Sequence, residues 1–170
     1  MKTQNSYGPF SLLKQIIAIP SLSGDEYLLS KFLQDWIESK GIIVNRKHNN
    51  LWCESVIDDS LPVILLNSHM DTVKPVDGWT RDPFLPEDSG DRIYGLGCSD
   101  AGASLVSLIH VFMELAEKKD RSYNLKLLIS AEEESSGKNG ITSVIHNIGK
   151  IDLAIVGEPT NLKMAVCERG

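Results

Sequence analysis

The amino-acid sequence predicts an α/β fold: a layered domain with a largely parallel sheet flanked by helices. Short apolar segments of strand length alternate with longer segments in which apolar residues recur at the helical period. Three of the short segments run directly towards a histidine or an acid, as strands do at the edge of an α/β sheet that carries a site. The length of 170 residues, with 42% hydrophobic and 24% charged residues, suits one globular domain.

Two helices are predicted near the N-terminus. The first is amphipathic and stops before Pro20; its apolar positions are Leu12, Leu13, Ile16 and Ile17. The second starts at Ser23, where Glu26 three residues later completes a capping box, and it ends at Gly41. Its apolar positions are Leu28, Leu29, Phe32, Leu33, Trp36 and Ile37.

The remaining segments alternate between strands and helices. Strands are predicted at 42–44, 51–56, 63–66, 125–130, 153–156 and 164–167, and helices at 101–118 and 139–147. Residues 74–91 are predicted to form a long loop with three prolines and several acids. Long loops inside a compact domain are often functional, so this segment is a candidate part of a site.

The strand predicted at 63–66 leads to His69 and Asp71. Residues i and i+2 of an extended segment point to the same side. His69 can therefore ligate a metal while Asp71 fixes its tautomer, which metal-bound histidines usually require. The alternative is a surface histidine beside a turn aspartate, and the pair alone does not decide between the two.

Three further acidic motifs follow downstream. Asp100 comes after a glycine-rich segment and opens a helix, the triple glutamate 132–134 follows a predicted strand, and Glu158 follows another. Because the carboxyl ends of parallel strands meet at one edge, these side chains are expected to converge. One histidine with several carboxylates suits a hydrolytic site for zinc or a similar divalent ion. The alternatives are a solvated charge run at 132–134 and a turn opening at Glu158.

Charge and cysteine content restrict the partners and the compartment. The net charge of −6 argues against nucleic acid. Cys53, Cys98 and Cys167 are scattered, which indicates free thiols in a reducing compartment; Cys98 is interpreted as a small buried residue and not a nucleophile. No signal peptide is apparent, and no continuous apolar run approaches the ~20 residues that span a bilayer. We expect a cytoplasmic protein without nucleic-acid or membrane partners.

The sequence argues against three other types of site. Gly95 and Gly97 before a helix are typical of a dinucleotide-binding turn, but Gly102 lies five residues after Gly97, where the fingerprint requires three. The chain has neither a G-x-S-x-G nucleophile elbow nor a G-x-x-x-x-G-K-[ST] phosphate loop. The other histidines, His48, His110 and His146, fit no ligand pattern.

Taken in order, these motifs resemble those of the dinuclear-metal amidohydrolases, the family that includes acetylornithine deacetylase, succinyl-diaminopimelate desuccinylase, aminoacylases and glutamate carboxypeptidases. The motifs are SHMDTV at 68–73, YGLGCSD at 94–100, AEEE at 131–134 and VGEPT at 156–160. The resemblance runs from about Leu12 to the last residue. The segment GWTRDPF at 78–84 is particularly similar to acetylornithine deacetylases.

The resemblance implies a set of metal ligands. His69 and Glu158 would hold one divalent ion, Glu134 would hold a second, and Asp100 would bridge both. The ions would be zinc, with cobalt as the substitute. The resemblance also implies a cis peptide bond between Asp100 and Ala101.

The resemblance assigns two further roles. Glu133 would be the general base, because the family has an acid followed by two glutamates and the middle acid is catalytic. Glu132 then occupies the position of the usual aspartate, and Asp71 would orient His69. After Asp100 the family often has Lys-Gly, whereas this chain has Ala101-Gly102.

The implied activity is hydrolysis of the amide bond of an N-acyl amino acid, and specifically of N-acetylornithine to ornithine and acetate in arginine biosynthesis. Family members are roughly twice this length, so residues 1–170 would be the N-terminal portion of the catalytic domain. A lid or dimerisation domain, the C-terminal half of the catalytic domain and a later metal-binding histidine would lie outside them. The full-length protein would be a homodimer.

Three alternatives to this activity stay open from the sequence. The nearest is another substrate within the family, an N-succinyl amino acid or a dipeptide. The second is a non-catalytic protein that keeps the fold and the metal ligands. The third is an α/β binding module without metal.

Overall fold

Five strands form the main sheet in the computed structural model of the chain, which describes residues 8–161. The helices are α1 (Pro9–Ile17), α2 (Tyr27–Glu38), α3 (Ala103–Ala116) and α4 (Ile141–Ile148). The strands of the sheet are β1 (Asn45–Lys47), β2 (Asn50–Ser55), β3 (Val63–His69), β6 (Asn124–Ser130) and β7 (Leu153–Val156); β4 (Glu87–Ser89) and β5 (Arg92–Tyr94) form a separate hairpin. The strand predicted at 164–167 and Cys167 lie outside the described residues.

The sheet is mixed, with a parallel centre. Its strand order is β1-β2-β6-β3-β7, in which β6, β3 and β7 run parallel and β1 and β2 are antiparallel additions at one edge. The α/β layered fold is therefore confirmed. The parallel register sets His69 level with Ser130 of β6, and it pairs Asn67 with Val156 of β7. The segments that follow these three strands consequently emerge at the same edge.

The two faces of the sheet are covered unequally. On one face α3 packs on β3 and β6, with α1 against α3 and α2 against β2; its fully buried residues include Leu33, Leu105, Ile109, Phe112 and Leu127. On the other face Val144 and Ile148 of α4 form a smaller cluster with Leu65 and Leu128 of the sheet. Neighbouring residues such as Leu65 and Leu66 enter opposite clusters, as side-chain alternation along a strand requires.

Two predictions for the N-terminal part of the chain are wrong: the start of the second helix and the strand at 42–44. Helix α2 begins at Tyr27, and Ser23 forms no cap: its hydroxyl hydrogen-bonds the hydroxyl of Ser135 at 2.8 Å. Residues 42–44 are not a strand, because the tight turn at His48, with φ of 54°, pairs Lys47 with Asn50. The partners of β2 are therefore 45–47 and not the apolar residues before them.

The predicted helix at 101–118 is shorter at both ends. An irregular turn, Cys98–Gly102, precedes α3, with non-helical torsions at Asp100 and Ala101. The turn and α3 together form a segment of 19 residues with a mean hydropathy of 1.2, which is long and apolar enough to cross a membrane by length and composition. Here Leu105, Val106 and Ile109 of this segment are buried in the core against the sheet and α1, so it serves as the central core helix.

Candidate metal centre

His69 is the last residue of β3 and is buried, with 1% of its side chain exposed. Its Nδ1 donates to the backbone carbonyl of Asp71 at 3.0 Å, and the Asp71 carboxylate lies farther from it, at 3.4 Å. The ring is thereby fixed with Nε2 directed into the site. The alternative of a surface histidine beside a turn aspartate is wrong.

Carboxylates lie around Nε2 of the His69 ring. Asp100 Oδ1 lies 3.1 Å from Nε2, Glu158 Oε2 at 3.8 Å and Glu133 Oε2 at 3.9 Å. Within the described part of the chain, one group of three metal-binding side chains has its ligand atoms within 4.8 Å of one another, and it comprises His69, Asp100 and Glu134. The structure thus brings the predicted site residues together at the carboxyl ends of β3, β6 and β7.

The turn that carries Asp100 is closely packed. The peptide bond between Asp100 and Ala101 is cis, as predicted. Gly97 has φ of 71°, and a Cβ added there would lie 2.5 Å from Thr72 Cγ2; one added at Gly95 would lie 2.4 Å from Ile17 Cγ2. These two glycines let the turn approach α1 and the end of β3, which explains the motif that resembles a dinucleotide-binding turn.

Asp71 also holds the loop that carries the three glutamates. Its two carboxylate oxygens accept hydrogen bonds from the backbone amides of Glu133 at 3.1 Å and Glu134 at 3.0 Å. The sequence predicted a role for Asp71 towards His69 alone. The structure adds that the same carboxylate links the end of β3 to the loop after β6.

Glu132 differs from its two neighbours in direction. Its carboxylate accepts hydrogen bonds from the backbone amide of Asn139 at 3.0 Å and from the side-chain amide at 2.9 Å. A Cβ at Gly137 would lie 2.0 Å from Glu132 Oε2, so the loop closes tightly over this side chain. The triple glutamate is therefore divided: Glu132 stabilises its own loop, and Glu133 and Glu134 face the site. The interpretation as a solvated charge run is wrong.

Glu158 is positioned by the pairing of β7 with β3. The backbone amide of Gly157 donates to the carbonyl of Asn67 at 2.8 Å, and the Ser68 hydroxyl donates to the Gly157 carbonyl at 2.8 Å. A Cβ at Gly157 would lie 2.9 Å from both Ser104 and Leu108 of α3. These contacts continue the strand register to Glu158 and place it beside His69.

Sequence reasoning missed the role of Glu26. This carboxylate is completely buried and accepts hydrogen bonds from Gly24, Asn49 and Glu132. The available signal was an acid just before an amphipathic helix, and it was interpreted as a helix cap. The loops that provide its partners lie far apart in the sequence, so no local pattern marks them.

The electrostatics of the cluster favour a cation. Burial opposes charge on His69, but the hydrogen bond to Asp71 and the charges of Asp71, Glu158 and Glu133 raise the pKa of His69 to about 9. Burial and the neighbouring charge of Asp100 raise the pKa of Glu134. Burial would raise the pKa of Asp71, but its hydrogen bonds to His69, Ser23 and the loop amides lower it. An imidazole with crowded carboxylates is a donor set that fits a divalent ion such as zinc.

The structure also describes the other three histidines and two of the three cysteines. His48 and His146 are exposed, and His110 Nδ1 donates to the Val106 carbonyl at 2.8 Å; none belongs to the cluster. Cys98 is half-buried, and burial raises the pKa of its thiol. Burial likewise raises the pKa of Cys53 to about 12. A raised thiol pKa opposes formation of the nucleophilic thiolate.

Comparison with known protein families gives a match over most of the site. The profile of peptidase family M20/M25/M40 matches residues 65–168. A succinyl-diaminopimelate desuccinylase of Delftia acidovorans is 28% identical over 168 residues, covering 89% of this chain and 44% of the relative. A peptidase M20 domain-containing protein of Schizosaccharomyces pombe is 34% identical over 171 residues, covering 94% of this chain and 40% of the relative. The chain therefore spans less than half the length of these relatives.

Solved structures share the fold. An M20 family metallo-carboxypeptidase of Sulfolobus solfataricus is 27% identical and superposes with a TM-score of 0.73, over 88% of this chain and 37% of that one. Human carnosine dipeptidase 1, at 17% identity, superposes with a TM-score of 0.70 over 88% of this chain and 38% of that one, which shows a shared fold.

Proposed function

The chain belongs to peptidase family M20/M25/M40, and from this premise we propose that it supplies the metal-binding N-terminal portion of a hydrolase that cleaves the amide bond of an N-acyl amino acid. One observation carries the proposal. The buried imidazole of His69 directs Nε2 towards carboxylates from three separate chain segments, with oxygens of Asp100 and Glu158 at 3.1 Å and 3.8 Å. Assembly of such a cluster at the end of a parallel sheet is typical of a catalytic metal site.

Two metal ions would share these ligands. We assign His69, Asp100 and Glu158 to one ion, and Asp100 with Glu134 to the other. When bound, the two ions would lower the pKa of water and polarise the amide carbonyl of the substrate. Burial and the neighbouring charge of Asp100 raise the pKa of Glu134. This supports the assignment, because a cation relieves the repulsion between the two carboxylates.

Glu133 is the residue that we assign as general base. Its Oε2 lies 3.9 Å from His69 Nε2, and 44% of its side chain is exposed, so it reaches the site and remains accessible to water and substrate. A carboxylate that holds no metal can take a proton from the attacking water and deliver it to the leaving amine. Glu132 is directed to Asn139 and is not available for this role.

The substrate is proposed at two levels. The proposed substrate class is an N-acyl amino acid, and membership of the family supports it. N-acetylornithine is the specific substrate that we propose from the GWTRDPF segment at 78–84. The relatives named as succinyl-diaminopimelate desuccinylases favour N-succinyl-diaminopimelate as the second candidate. We further propose that residues beyond those matched here complete the second metal site and select the acyl group, in a homodimeric full-length protein.

The test is a substrate panel on the full-length protein. Metal is removed with a chelator, and the protein is reloaded with zinc or cobalt and assayed with N-acetylornithine, N-succinyl-diaminopimelate and a dipeptide. Hydrolysis that requires added metal supports the proposed metal-dependent hydrolase, and the ratio of kcat/KM values identifies the preferred substrate. Tight zinc binding without hydrolysis of any member would favour the non-catalytic alternative. A protein that binds no zinc would favour the metal-free binding module.

A further inference from the structure

Three successive backbone amides of the glutamate loop are held by buried carboxylates. Asp71 accepts from Glu133 and Glu134, and Glu26 accepts from Glu132 at 3.2 Å. Glu26 and Asp71 are 0% and 1% exposed. Two carboxylates from other parts of the chain therefore orient the backbone of this loop.

Glu26 joins three segments at one point. Besides the Glu132 amide, its Oε1 accepts from the backbone amide of Gly24 at 2.5 Å, and its Oε2 accepts from Asn49 Nδ2 at 2.9 Å. Asn49 is oriented in turn by Arg46, which donates to Asn49 Oδ1 at 3.2 Å. The segment before α2, the β1–β2 turn and the glutamate loop thus meet on a single side chain.

The Glu132 amide is held early in the loop after β6, directly after the Ala131 amide, which donates to Asn50 Oδ1 at 3.0 Å. Glu132 has φ of 53°, a left-handed conformation that an L-residue rarely adopts without support from its surroundings. Its amide is bound by Glu26 and its carboxylate by Asn139. A change at Glu26 would release this residue, and the next two residues are those that face the metal site.

We propose that Glu26 is a positioning residue for the metal site, acting through the Glu132 amide on the directions of Glu133 and Glu134. The inference rests on the proposed function, since it concerns the ligands of that site. What matters at Glu26 is the pattern of acceptors and not the charge, because all three of its partners are N–H groups.

The pattern can be tested by reversing one hydrogen bond. In Glu26→Gln, one end of the side chain becomes an N–H donor. Whichever way the side chain is placed, that donor faces another N–H donor, either Asn49 Nδ2 or the backbone amides of Gly24 and Glu132. Asn49→Asp alone brings a second carboxylate against Glu26. Combined in Glu26→Gln/Asn49→Asp, the two substitutions exchange donor and acceptor, so every hydrogen bond is restored and the net charge is unchanged.

Two measurements on the full-length protein are compared. Zinc affinity is determined by competition with a chromophoric chelator, and backbone amide exchange of the peptide containing Glu132 is measured without metal. Glu26→Gln should weaken zinc binding about 10-fold, as changes next to metal ligands usually do, and should speed amide exchange in that peptide. The double variant should return both quantities to those of the unaltered protein.

A core substitution separates positioning from general stability. Phe112→Leu lies in α3, in the buried core, and serves as a variant that lowers the melting temperature without touching the loop. It should leave zinc affinity unchanged. Zinc binding that is as weak in Phe112→Leu as in Glu26→Gln would overturn the proposal.

Two other results would also overturn it. One is a folded Glu26→Gln variant with unchanged zinc affinity and amide exchange, and the other is a double variant as impaired as Glu26→Gln. If Glu26→Gln does not fold, the double variant provides the test. The proposal predicts that the double variant folds and binds zinc as tightly as the unaltered protein, and failure to do so would overturn it. Should the unaltered protein bind no zinc, the proposed function fails, and the exchange measurement still tests the positioning role.

Discussion

The centre has a buried side and an open side. On the buried side, the side chains of His69 and Asp71 are 1% and 0% exposed, and each has a hydrogen-bond partner in the fold. On the open side, the side chains of Asp100, Glu133 and Glu158 are 58%, 44% and 30% exposed. The buried pair is fixed by packing, and the open carboxylates are directed by their backbone.

The two sides of the centre have different roles. Water and substrate reach the open carboxylates, so chemistry belongs there. The buried pair fixes the ring and the glutamate loop in place before any ligand arrives, which is the preorganisation that catalytic sites need. Substitutions on the open side should therefore change turnover or ligation, and those on the buried side should change the geometry of several groups together.

The largest effect is expected on the open side. Glu133→Gln in the full-length protein should reduce turnover ~100- to 10,000-fold, as removal of a general base does, and should leave zinc affinity nearly unchanged. Steady-state kinetics and a zinc titration of the same sample measure the two quantities. Loss of zinc from Glu133→Gln, with retention by Glu134→Gln, would mean that the roles of these two glutamates are exchanged.

A smaller effect is expected on the buried side. Asp71→Asn keeps the size of the side chain but removes one acceptor of the loop amides and the charge that faces His69. Zinc affinity or turnover should fall ~10- to 100-fold with the fold intact. Circular dichroism controls for folding. Unchanged zinc affinity and unchanged turnover would show that Asp71 has no role in the metal centre.

The turn before Asp100 provides a matched pair of glycines. Gly97 and Gly90 have φ of 71° and 67°, but a Cβ at Gly97 would meet Thr72 at 2.5 Å and one at Gly90 would meet nothing. Alanine at either position carries the left-handed penalty of roughly 1–2 kcal/mol. Gly97→Ala should lose more stability than Gly90→Ala and should also weaken zinc binding. Equal melting temperatures and equal zinc affinities would show that the contact with Thr72 does not position the turn.

The smallest effect is expected at the opposite end of β3. Asp152 accepts from the amide of Val63 at 2.8 Å and pairs with Lys150 at 3.1 Å. The Val63 hydrogen bond lowers the pKa of Asp152. Its stabilising contribution should thus be present above the usual aspartate pKa and be lost as the pH falls through the lowered value. Asp152→Asn should lower the melting temperature slightly at pH 7, with no difference in strong acid and no change in zinc affinity.

The sequence predicted the residues of the metal centre, including His69 and Asp71, better than it predicted the buried support of the glutamate loop. Glu134 and Glu158 follow segments whose apolar pattern is local, so their convergence with His69 could be predicted from the rule that parallel strands end at one edge. Asp100 is marked by a local glycine-rich pattern but reaches the site from the turn before α3. Strand β7 was likewise predicted with its observed bounds. Glu26 could not be predicted, because its partners at Asn49 and Glu132 are 23 and 106 residues away.

Two misplaced elements have different physical origins. The apolar residues at 42–44 favour a strand by composition, but the turn at His48 selects other partners for β2. Ser23 and Glu26 have the spacing of a capping box, but the tertiary partners of each compete with the cap. In the first place a tight hairpin turn outweighed apolar composition, and in the second long-range contacts outweighed a local capping preference.

The register of β3 has a consequence for how the chain tolerates changes in length. Leu65 and Leu66 enter opposite clusters, and His69 is level with Ser130. A residue inserted between Leu66 and His69 would turn the imidazole to the other face of the sheet, and a deletion there would do the same. The hairpin of β4 and β5, by contrast, lies outside the main sheet. We therefore expect insertions and deletions to be tolerated near the exposed Gly90 and to abolish metal binding within the last three residues of β3.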